Sequence, residues 1–75
     1  MKKEIIEIAA KTMKITPEEA EKHYKELPEE GAFYFWNPVR GGICVIIAPD
    51  GSKLAATSAV NFERHLEEYK KGRRN

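Results

Sequence analysis

The sequence predicts an α+β domain: two N-terminal helices, a three-stranded antiparallel meander and a C-terminal helix. Three observations predict it. Residues 31–58 hold two long apolar runs and one short one, each bounded by turn-forming residues. Charged sequence with helical spacing lies on both sides of that stretch. The chain is 75 residues long, which is room for one domain, spanning residues 1–75, near the size where a single core only just suffices.

Residues 2–14 come first. Ile5, Ile8, Ala9 and Thr12 share one helical face with Ile6, Ala10 and Met13 beside it, while Lys2, Lys3, Glu7, Lys11 and Lys14 fall elsewhere. The spacing predicts an amphipathic helix with a wide apolar stripe. A second helix begins at Thr16-Pro17-Glu18-Glu19: Thr16 is a good N-cap, Pro17 suits the first helical position, and Glu19 completes a capping box. Ala20, Tyr24 and Leu27, with His23 between them, make a thin stripe for this helix. Pro28 is expected to end it by disfavouring helical geometry at Leu27.

Gly31 opens the first predicted strand, Ala32-Phe33-Tyr34-Phe35-Trp36, which has no polar alternation and therefore no fully wet face. A six-residue connection follows, Asn37-Pro38-Val39-Arg40-Gly41-Gly42, longer than a tight hairpin. The second strand, Ile43-Cys44-Val45-Ile46-Ile47-Ala48, is apolar on both faces and belongs at the centre of the sheet. Pro49-Asp50-Gly51 then reads as a three-residue hairpin loop with Gly51 left-handed. Closing that loop between Ala48 and Ser52 sets the register: Ile47 opposite Lys53, Ile46 opposite Leu54, Cys44 opposite Ala56 and Ile43 opposite Thr57. Ser58 to Asn61 offer caps for the last helix, in which Phe62, His65, Leu66 and Tyr69 fall at i, i+3, i+4 and i+7. Gly72 ends it.

Composition narrows the function classes. Hydrophobic residues make up 41% and charged residues 33%, which are globular values. Thirteen Lys and Arg against 12 Asp and Glu give a net charge of +1, so no overall field draws the chain to nucleic acid or an anionic membrane. The six glutamates between residues 17 and 30 read as a solvated face, and Lys70, Lys71, Arg73 and Arg74 as a frayed basic tail. A single cysteine, Cys44, makes no intramolecular disulfide. Glu4 and Glu7 interrupt any signal-peptide pattern, and no apolar run reaches membrane-spanning length. The expectation is a cytoplasmic protein without a membrane segment.

Cys44 with His65 is the one pair resembling a nucleophile and base. Mid-strand among Ile and Val, though, Cys44 reads as a small hydrophobe. His23 and His65 lie on apolar stripes, where an imidazole with one satisfied nitrogen is the simpler account. No metal-ligand spacing, phosphate loop or cofactor motif is present.

Partner binding has the better support. Trp36, Val39 and Arg40 lie on or beside the long connection, and Trp and Arg are enriched at interface hot spots. Strands apolar on both faces also leave a second sheet face, bearing Ile43, Val45 and Ile47, to be covered by the thin second helix, by a second copy in a homodimer or by another protein, and an open apolar face of that kind marks an interaction site. The partner-binding set is therefore Trp36, Val39, Arg40, Ile43, Val45 and Ile47. Two alternatives stay open: a small nucleic-acid-binding protein using the aromatic strand and Arg40-Gly41-Gly42, and a small enzyme using Cys44 and His65.

Gly31-Ala32-Phe33-Tyr34-Phe35, the apolar run before Asp50-Gly51, and the segment from Ser58 to Glu67-Glu68-Tyr69 together resemble the bacterial immunity protein 35 family. The resemblance implies an α+β cytoplasmic protein that neutralises a cognate toxin by binding it, with no catalytic residues. The first helix and the connection over residues 37–42 lie outside it.

Overall fold

A computed structural model describes residues 3–37, 42–57 and 59–74. The element order is α1 (Lys3–Met13), α2 (Pro17–Lys22), β1 (Tyr24–Leu27), β2 (Ala32–Trp36), β3 (Ile43–Ile47), β4 (Lys53–Thr57) and α3 (Phe62–Lys70). The four strands form one antiparallel sheet in the order β1-β2-β3-β4. The α+β class and the C-terminal helix are as expected, but the sheet has four strands rather than three.

The fourth strand comes from what the sequence suggested was the second half of a helix. Thr16 does cap α2, its hydroxyl accepting from Glu19 N–H at 3.2 Å, and Pro17 does start it. The helix stops after six residues at His23 (φ −128°, ψ 63°). Ala20, Tyr24 and Leu27 are spaced i, i+4, i+7, which suits a helix, so local pattern alone favoured the wrong element. Pairing with β2 overrides it: Tyr24 lies opposite Phe35 and Leu27 opposite Ala32. The turn makes the pairing affordable. Glu30 N–H donates to Leu27 O at 3.1 Å, Gly31 N–H donates to Pro28 O at 3.3 Å, and Gly31 adopts φ +67°.

The β3–β4 hairpin has the register expected from its loop, with Ile47 opposite Lys53 and Ile43 opposite Thr57. Ala48 N–H donates to Ser52 O at 2.8 Å, Gly51 takes φ +93°, and Asp50 Oδ1 accepts from both the N–H and the hydroxyl of Ser52. These two bonds hold the Asp50 carboxyl below its ordinary range.

Helices cover both faces of the sheet. On one side α1 and α2 bury Ile5, Ala9, Ala10, Met13 and Ala20 against Phe35, Val45 and Ile47. On the other, Tyr69 of α3 packs with Leu27, Ala32, Ile46 and Ala48, and Phe62, Leu66, Tyr34 and Leu54 join the edge of that cluster. The expectation of an open sheet face is corrected here. Val45 and Ile47 are 0% exposed, because the wide apolar stripe of α1 is spent on them. Each such side chain contributes roughly 1.5–3 kcal/mol when taken out of water, so α1 is a component of the core.

The basic tail is docked rather than frayed. The Arg74 guanidinium lies 3.9 Å from the Tyr69 ring centroid and donates to Tyr69 O and Ser52 Oγ, while Arg73 pairs with Glu68. Lys70 reaches Glu30 at 3.4 Å, tying the end of α3 to the β1–β2 turn.

Candidate interaction surface

The strand registers arrange the α3 side of the sheet in rows. His23, Trp36, Cys44 and Ala56 form the row nearest the β2–β3 connection, and Lys25, Tyr34, Ile46 and Leu54 form the next. Helix α3 is seated over the second row and beyond: Phe62 meets Tyr34 edge-on at 4.7 Å, and His65 meets Tyr34 at 5.8 Å. Its start is fixed by Asn61, whose Oδ1 accepts from Arg64 N–H at 2.8 Å.

The first row is only partly covered. Trp36 is 36% exposed, its ring 6.0 Å from His23 on one side and from Tyr34 on the other. Ile43, on the opposite face one residue before Cys44, is also 36% exposed. Among the described residues these are the large hydrophobic side chains left exposed, and both stand where the sheet runs into residues 37–42. Of the other expected contact residues, Val45 and Ile47 are in the core, while Val39 and Arg40 fall outside the described residues.

Asn37, where the connection begins, is bonded to α1. Asn37 Nδ2 donates to Met13 O at 3.0 Å, satisfying a carbonyl in the last turn of α1. Gly42 makes room for it: a Cβ there would lie 2.5 Å from Asn37 Cβ and Cγ. Gly42 is thus required by close approach.

Cys44 and His65 lie on the same side of the sheet, each against Tyr34. The Tyr34 hydroxyl is hydrogen-bonded with the Cys44 thiol; burial first, then this bond and the neighbouring Cys44 charge, push the phenol far above its ordinary range. His65 is 1% exposed, and its Nε2 lies 2.7 Å from Leu54 O. A carbonyl only accepts, so Nε2 carries the proton and Nδ1 is left as an acceptor. Nδ1 is buried without a hydrogen-bond partner, as is Nδ1 of His23. The thiol is thus bonded to Tyr34 and the imidazole to Leu54.

A groove of about 390 Å³ runs between α3 and the edge strand β4. Leu54, Ala56 and Val60 supply its apolar lining, and Arg64, His65 and Arg73 its cationic and polar lining. Sequence reasoning did not single out Val60 or Arg64. The signal was Asn61, because capping there sets the helix phase that turns Arg64 and Glu68 toward the β4 side while Phe62 and Leu66 turn the other way.

Among the described residues no group of three or more His, Cys, Asp and Glu is placed to hold a metal ion, and no helix is long and apolar enough to cross a membrane. Comparison with protein-family models, curated proteins and solved structures finds no match to this chain.

Proposed function

We propose that this chain is a non-enzymatic protein-binding module whose partner is engaged at the end of the sheet marked by Trp36 and Ile43. One observation supports the reading above others: the large exposed hydrophobics flank the same connection, although the chain has two helical layers with which to bury apolar surface. An amphipathic indole at a sheet end, backed by His23 and Tyr34, is the kind of anchor that dominates interface energies. Neutralising a toxin by occupying its surface, in the cytoplasm, is the specific form of this function that the resemblance of residues 31–69 implies.

The test is comparative capture by the folded wild-type chain and by Trp36→Ala and Ile43→Asp variants from the native cell extract, with light scattering across a wide concentration range. Support is a protein retained by wild type and lost by both variants. A wild-type dimer converted to monomer by Ile43→Asp makes the partner a second copy. Identical retention by all three chains refutes the assignment of this surface. Retention of nucleic acid that weakens with salt would favour the nucleic-acid alternative.

A further inference from the structure

We infer that the groove between α3 and β4 receives an extended acidic segment of a partner protein, with alternating apolar side chains on its floor and a carboxylate at Arg64. The inference rests on the reading of this chain as a protein-binding module, and it adds a second surface with its own chemistry. Two observations converge on it.

The first is charge. Two guanidiniums, Arg64 and Arg73, border the groove. The one carboxylate on its lining, Glu68, is already engaged by Arg73 and by Lys71, the latter at 3.8 Å. Arg64 is exposed and, among the described residues, has no ion-pair partner. The unbalanced charge is therefore positive, and it is a planar fork suited to a carboxylate.

The second is the shape and chemistry of the lining. Leu54, Ala56 and Val60 give a small apolar strip beside the edge of the sheet. A groove of about 390 Å³ has room for side chains projecting from one face of an extended chain. Alternating residues on such a chain would point alternately to the strip and to the cationic rim.

A free anion such as phosphate or acetate would satisfy Arg64 but offer no apolar side chains to the Leu54, Ala56 and Val60 strip.

The experiment titrates the full chain, labelled with ¹⁵N, with a peptide of alternating Glu and Val. Controls are the Lys-and-Val peptide and free glutamate. Shifts are expected in Leu54 to Ala56 and Val60 to Glu68. Arg64→Glu, an exposed change that leaves the core intact, should weaken the Glu/Val peptide by about tenfold or more. Trp36→Ala should leave this binding unchanged. Equal binding of the Lys peptide, or free glutamate binding as tightly as the peptide, overturns the inference. So does an absence of shifts in α3 and β4, or shifts indifferent to Arg64→Glu. Any of those results leaves the Trp36 and Ile43 surface standing, because partner capture there is read independently.

Discussion

The imidazole Nε2 of His65 donates to the carbonyl oxygen of Leu54 at 2.7 Å, a bond between α3 and β4 made inside the protein. It fixes where the helix lies along the strand. Replacing His65 by Ala removes the bond and opens a cavity beneath the helix, and the expected loss is about 2–4 kcal/mol of unfolding free energy in urea. Gln, which can still donate, should recover part of it. Equal stability of the Ala and wild-type chains would show that the bond contributes nothing.

Gly42 and Asn37 form a second such pair. Gly42→Ala places a methyl carbon where Asn37 sits, so the side chain must leave Met13 O. A loss of about 1–3 kcal/mol is expected. Asn37→Ala removes the bond without the clash and should cost less. If Gly42→Ala is neutral in thermal unfolding, the close approach is relieved elsewhere and the anchoring of α1 does not depend on it.

Ile47→Ala tests whether α1 closes its face of the sheet in solution. A side chain 0% exposed beneath α1 should cost about 2–5 kcal/mol when truncated, and Ile5→Ala, from the opposing helix, should fall in the same range. Were this face instead open for a partner, Ile47→Ala would change binding and scarcely move the urea midpoint.

Tyr34 gives the protein an alkaline limb. Its phenol is raised in the folded state, chiefly by burial and then by Cys44. The unfolded chain therefore releases this proton first, and stability falls as pH climbs above the ordinary phenol value of about 10 toward the folded one. Tyr69 is raised as well, again chiefly by burial. Tyr34→Phe should flatten the alkaline decline of stability but leave a residue due to Tyr69. An unchanged pH profile would mean that Tyr34 ionises alike in both states.

Much of the architecture was legible because local chemistry and tertiary packing agree. The Asp50–Gly51 loop set the β3–β4 register, Thr16 and Asn61 set two helix starts, and the apolar stripe of α1 announced a buried face. Tyr24 to Leu27 show where that agreement fails. Four residues with i, i+3 apolar spacing are compatible with a helix or a strand, and only the presence of β2 alongside decides. A long second helix in place of β1 leaves the sheet one strand short, and the pattern of the strands alone does not show that α1 closes over Val45 and Ile47. Trp36 is legible from its place beside the long connection, whereas Ile43 is expected to be exposed through the uncovered face and is exposed instead because it begins β3 at that connection. The groove at Arg64 was not legible, since it exists only once α3 lies across β4, a relation carried by no short pattern.

Val45 and Ile46 are neighbours in the chain and both 0% exposed, yet one belongs to the α1 layer and the other to the α3 layer. Two adjacent residues of one strand thus lock the opposite sides of the molecule together, leaving no plane along which one helix can slide while the other stays put. Truncating either side chain therefore loosens one layer while the same stretch of backbone still carries the other.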